Sequence, residues 1–251
     1  MKKQLLAFLV VSITVFFVGC TSDKIIPLVE EPQKLEVRVQ PMFNDETIFE
    51  DSVFTTVEGY DVIFTELKFF FTEINHNGNE LTDAAFFDWT NKGTLVLSTT
   101  ANSTDFPSLS GNLGVNETVN HSDPSAFPND HPLNISNSGD MHWNWNPGYI
   151  FVKVEAKVDT IPDGIPLFDH YAVLHVGLDE NMETWSFTDL NWVQVNYCLS
   201  RLSLKLDMAK FLQNDGQAID LKTEHSTHSA PGQEVLSTKV IQNFKAALSK
   251  L

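Results

Sequence analysis

Along much of this chain, apolar residues recur at every second position and only rarely at helical spacing. Leu35, Val37 and Val39 alternate with Glu36, Arg38 and Gln40, while Ile150, Val152, Val154, Ala156 and Val158 fall on one side of "YIFVKVEAKV". Period two is the signature of a strand with one face against a core. "TLVLST" from Thr94, "HYAVLHVGL" from His170 and "WVQVNYCLSRLSLKLDM" from Trp192 read the same way. Residues 60–74, "YDVIFTELKFFFTEI", are apolar on both faces and predict a central strand or a bulged pair, closed by turn chemistry in "NHNGN". Pro41 is expected to stop the first strand. A helical stripe occurs near the C-terminus, through Val240, Ile241, Phe244 and Leu248 with Pro231 near its start, and "MAKFL" allows a second short helix. The pattern predicts a mainly β fold: an antiparallel, β-sandwich-like single domain with a C-terminal helix.

The first residues set the expected location. Lys2 and Lys3 precede an apolar run from Leu5 to Val18, broken only by Ser12 and Thr14. The run is shorter than the ~20 apolar residues of a membrane span and has the proportions of a signal-peptide core. It ends in Val18-Gly19-Cys20, which resembles the lipobox of bacterial lipoproteins. The resemblance implies cleavage after Gly19 and a diacylglycerol thioether on Cys20. Residues 1–19 are thus expected to be a lipoprotein signal peptide, 20–33 the anchor and tether, and 34–251 the β domain. The anchor places the protein in the cell envelope, on the outer membrane facing the periplasm or the cell surface.

A net charge of −17, with no basic stripe, argues against nucleic acid as a partner. An acidic surface suits a cationic partner or an elevated local concentration of metal cations. Once Cys20 is lipidated, Cys198 has no partner for a disulfide, and its apolar neighbours predict a buried thiol. Residues 99–140 are rich in Ser, Thr, Asn, Asp, Pro and Gly, and a polar stretch of this length reads as a functional or mobile loop.

Gly-x-Ser-x-Gly, His-Glu-x-x-His, the Walker loop and Cys-x-x-Cys are all missing. Histidine carries more information. His121 and His131 lie in the long loop, His142 stands beside tryptophans, His175 lies on a strand apolar to either side, and His225 and His228 form "HSTHS". Neutral imidazole suits copper, zinc and nickel, and the lack of a thiolate cluster together with nearby methionine leans towards copper.

The densest chemistry is in "MHWNWNPGYIFVKVE" from Met141. If that stretch is extended, His142 and Asn144 point one way and Met141, Trp143 and Trp145 the other. It resembles the signature of MbnP-like proteins, the periplasmic copper-binding proteins associated with methanobactin systems. "LEVRVQPMF", "VIFTELKFFFTEI", "FDHYAVLHVG" and "IQNFKAAL" are similar to other blocks of that family. The resemblance implies a single copper ion held by two imidazoles, for which His142 and His175 are the candidates here. It also implies a tryptophan, Trp143 or Trp145, oxidised to kynurenine by a MauG-like dihaem cytochrome c peroxidase. On that reading the protein is not an enzyme but serves copper acquisition or storage. Two other readings stay open: a metal-free surface binding or adhesion module using the polar loop, and a metallochaperone using His225 and His228.

Overall fold

The computed structural model describes residues 32–143 and 148–251; the expected signal peptide, the expected lipidation site Cys20 and Trp145 lie outside them. The strand Asp61–His76 organises the larger sheet. Its first half pairs antiparallel with Gly148–Asp159, which pairs in turn with His170–Gly177. Its second half pairs with Asn79–Asp88 across a turn in which Asn77 and Gly78 both have positive φ, as a two-residue hairpin requires. Leu109–Leu113 joins Asp61–His76 past the point where Gly148–Asp159 stops, and carries Glu183–Phe187 on its other edge. Register shifts on either side of Glu73, at φ 53°, let one long strand serve successive partners.

In the smaller sheet Lys34–Phe43 lies between Leu95–Thr100 and Leu199–Asp207, and the last of these is also paired with Val193–Asn196 and Leu248–Lys250. The inner faces of the two sheets meet in one core: Phe43 of the smaller sheet packs against Phe64 of the larger, ring centroids 6.4 Å apart. The helix Glu234–Ala247 closes the core, with Phe244 against Phe69 and Phe211 at 5.4 and 6.0 Å. Burying one such ring contributes about 1.5–3 kcal/mol. The mainly β, sandwich-like architecture with its C-terminal helix therefore agrees with the sequence pattern.

Four details differ from expectation. Lys34–Phe43 runs parallel to Leu199–Asp207, and His170–Gly177 parallel to Ser226–Thr227; alternation fixes which face is wet, not the direction of a neighbour. Pro41 does not stop its strand, which continues to Phe43. The Pro41 carbonyl accepts from Ile48 N on the edge where Leu95–Thr100 has ended and Glu46–Thr47 begins, so the missing N–H falls at a gap in the ladder. Cys198 is half-exposed in a turn, its thiol directed at Asn196 Oδ1. Finally, residues 99–140 are neither loose nor structureless. They contribute a strand, short helical turns and the buried anchors Phe106, Leu109, Leu113, Val115 and Leu133.

Candidate metal centre

Strand Gly148–Asp159 turns Ile150, Val152, Val154, Ala156 and Val158 into the core, and turns Tyr149, Phe151, Lys153 and Glu155 to the opposite face. Under the polar segment that face begins as an aromatic layer. Phe70 stacks on Phe86 and meets Tyr149 edge-on. The Tyr149 hydroxyl donates to Leu133 O at 2.6 Å and its backbone N–H to Asn120 Oδ1 at 2.7 Å. Asn120 in turn donates to Asp179, which also receives His121 Nε2. Burial first, and then the Asp123 charge, push the Tyr149 phenol well above its ordinary range, so it remains a donor.

Two residues further along, the face becomes charged. Lys153 and Lys68 are directly paired across the sheet, and both are buried. Lys153 Nζ lies 2.6 Å from Glu66 and 3.2 Å from Glu155, and it also binds Asp140. Lys68 Nζ lies 3.1 Å from Glu66 and 3.0 Å from Asp140. Burial disfavours the charge on each lysine, but the surrounding carboxylates outweigh it and raise both amines above their ordinary value. Burial likewise pushes the Asp140 carboxyl up, and the two lysines more than reverse it. Three carboxylates thus face two ammonium groups, and the surplus negative charge lies towards His175.

His175 is directly paired with Lys153, and its Nε2 donates to Glu155 Oε1 at 2.8 Å. That bond, ahead of burial and the Lys153 charge, holds Glu155 below the usual carboxylate range. The ring of His228 stands edge-on to His175, centroids 4.9 Å apart. Burial, reinforced by His175, lowers the His228 pKa against the pull of Glu155.

His142 pairs with Tyr149 in a short ladder and packs edge-on against its ring at 4.9 Å. It therefore shares the face of His175, as Trp143, paired with Gly148, does not. Trp143 is buried over Gly177 instead. Burial lowers the His142 pKa despite a backbone hydrogen bond at Trp143 and the Asp123 charge, which favours the neutral ring. Its Nε2 is buried and, among the described residues, has no hydrogen-bond partner. A buried ring nitrogen in that state calls for a ligand.

The sequence candidates are thus partly assembled. His142 and His175 share one face, but four residues of strand separate their partners Tyr149 and Lys153, ~13 Å along the sheet. Among the described residues no group of three or more His, Cys, Asp or Glu side chains forms a ready metal cage. His225 and His228 are not a pair: His225 meets His170, centroids 4.5 Å apart, whereas His228 meets His175. His121 and His131 bind Asp179 and Asp83, which fastens the polar segment. A cavity of about 590 Å³ between Glu73, Asn112, Trp185 and Lys245 has no histidine in its lining. The sequence reading missed Glu155, Lys153, Lys68 and Asp140. Their signal was present in "ELKFFF", where a lysine interrupts a strand that is apolar on both faces.

The MbnP family model matches residues 32–230. Among solved structures the fold is similar to that of MbnP from Methylosinus trichosporium, with a TM-score of 0.51 and 16% identity over 82% of this chain and 87% of that one. No curated protein matches the sequence. The matched span runs from the first strand through the aromatic and charged layers to the segment carrying His228, and the chain belongs to the MbnP family.

Proposed function

We propose that this protein is a lipid-anchored envelope protein that binds copper through neutral imidazoles, with His142 and His175 as ligands. The observation that carries the reading is the buried Nε2 of His142, without a hydrogen-bond partner among the described residues, on the same sheet face as His175. Membership of the MbnP family supports a copper-related role. The donors suit the ion: imidazole is a good ligand for copper, and a ligating histidine must be neutral. Copper held here would be cargo for acquisition or storage, and the protein would not itself be an enzyme.

The chain's own residues supply position and field. Asp140, bound to Lys153 and Lys68, ties the backbone ahead of Met141 and His142 to the sheet. Glu155 orients the His175 ring through Nε2. The surplus carboxylate charge favours a cation at this face. Trp143 and Trp145 are the candidates for oxidation by a dihaem cytochrome c peroxidase. Trp143, buried over Gly177 on the other side of its short strand, would act there as neighbouring redox chemistry rather than beside His142 on its face.

The test counts copper retained after desalting by the soluble chain from Thr21 onward, purified from its native host, beside His142→Ala and His175→Ala. One tightly held copper, lost in both variants, is the expected result. Retention of none by the wild type would overturn the reading in favour of a metal-free binding module.

A further inference from the structure

His228 and His175 come together because the short strand Ser226–Thr227 lies parallel to His170–Gly177, with Val173 N donating to His225 O at 2.7 Å. Each side of His228 is anchored. Thr227 is fully buried and its hydroxyl lies 2.7 Å from Ser237 Oγ, while Ser229 Oγ accepts from Gly177 N. The backbone N–H of His228 itself donates to Gln233 Oε1 at 2.8 Å. The imidazole is therefore delivered to His175 by a segment fixed to both a strand and the C-terminal helix.

The neighbouring pair shows what a purely structural arrangement looks like. His170 and His225 also meet edge-on, but His170 Nε2 bonds Leu221 O and His225 Nδ1 bonds Lys222 O. Both rings there are committed to backbone carbonyls. Among the described residues, by contrast, no hydrogen bond engages the His228 ring, and His175 is engaged through Nε2 alone. A carboxylate that holds one ring nitrogen of a histidine as N–H leaves the other as a lone pair for an ion, the usual arrangement behind a metal-ligating imidazole.

We infer that His228 is a further copper ligand, paired with His175, and that Glu155 fixes His175 as the Nε2–H tautomer so that its Nδ1 faces the ion. The inference rests on the copper-binding reading above and deepens it by a tautomer and by a second imidazole in contact with His175, whereas His142 lies ~13 Å away along the sheet. Two adjacent imidazoles suffice for Cu(I), which accepts low coordination numbers, so no cage of three or more side chains is required.

The experiment is long-range ¹H–¹⁵N correlation of the histidine rings, recorded on the mature chain with and without Cu(I). It is accompanied by Cu(I) competition titrations of the wild type, His228→Ala, His228→Met and His225→Ala. Expected are a Cu(I)-induced shift of one His228 ring nitrogen and of His175 Nδ1, with His175 protonated at Nε2 in both states. Affinity should fall at least tenfold in His228→Ala, recover in part in His228→Met, whose thioether also binds Cu(I), and stay unchanged in His225→Ala. If Cu(I) binds with His142 and His175 perturbed but the His228 ring unshifted and His228→Ala at wild-type affinity, the inference is overturned and the copper reading stands. If the wild type binds no Cu(I), both are overturned.

Discussion

Lys153 binds Asp140, and that contact, with Lys68 beside it, fastens the backbone leading into Met141 and His142 to the middle of the larger sheet. The same ammonium group lies 3.2 Å from Glu155, which holds His175. The two candidate ligands are thus connected, from His175 by side chains as far as Asp140 and from there by the backbone to His142.

Removing that hub takes one cation from three partly exposed carboxylates, leaving Lys68 to Glu66 and Asp140 and His175 to Glu155. Lys153→Met should destabilise the protein by about 1–3 kcal/mol, the cost of losing charged partners at a largely buried site. Asp140→Asn should cost less, about 1 kcal/mol, because the Asp140 side chain is 52% exposed and screened by water. Urea denaturation of the two variants beside the wild type checks the order.

The charged layer also sets the response to acid. Asp140, Glu155 and Glu36 all bind protons more weakly in the folded chain than their ordinary values of 3.8, 4.5 and 4.5. Groups whose pKa is depressed by folding contribute stability above those values, and lose it as the pH falls through the lower folded-state values. The urea midpoint should therefore be flat in this respect between pH 5 and 7 and should fall below about pH 4.5. In Lys153→Met the acid limb should be shallower, since Asp140 and Glu155 each lose one of the groups that hold their pKa values down, while Lys68 and His175 remain.

Gly177 leaves room for nothing larger. A Cβ there would lie 2.3 Å from Tyr149 O and 2.7 Å from Trp143 Cζ3, and a backbone oxygen cannot swing aside as a flexible side chain does. Gly177→Ala is expected to cost about 1–3 kcal/mol by overpacking and to shift the Trp143 fluorescence. An unchanged thermal midpoint and spectrum would mean that Trp143 is not seated on this glycine.

Asn120 links the polar segment to the start of the Tyr149 strand. It is 1% exposed, accepts from Tyr149 N and donates to Asp179. Asn120→Ala leaves the buried Tyr149 N–H unpaired and takes one of two partners from Asp179, and should cost about 1–3 kcal/mol. Hydrogen exchange should report it first at the Tyr149 amide, with the amides of Asp61–His76 much less affected.

The strands were legible because each carries one apolar face, and alternation reads that directly: Leu35, Val37 and Val39 are all buried. The opposite orientation of His142 and Trp143 followed from the same rule, and the short ladder places them so. Strand direction was not legible, since the pattern in "RLSLKLD" is the same whichever way a neighbour runs. The polar segment misled for a related reason. Its anchors, Phe106, Leu109, Leu113 and Leu133, are spaced too irregularly to register as periodicity, yet all are buried, and the Leu133 carbonyl takes the Tyr149 hydroxyl on the second face of the larger sheet. That cover also hid the charged layer: Lys153 and Glu155 alternate with valines as solvent-facing residues would, and only the segment above them removes the solvent. The His175–His228 contact joins residues far apart in sequence through a strand of two residues, too short to leave a pattern.

The parallel ladder between Lys34–Phe43 and Leu199–Asp207 has a consequence for how the chain matures. The first strand to emerge from the ribosome or a translocation pore cannot find this neighbour until most of the polypeptide has followed it. Pairings so distant in sequence form late and slowly. A nascent chain halted before Leu199 would present Lys34–Phe43 with an open edge, able to capture a strand from another molecule. The fold is thereby made to depend on complete delivery of the chain, so a single closing step after Leu199–Asp207 has appeared is the route least exposed to mispairing.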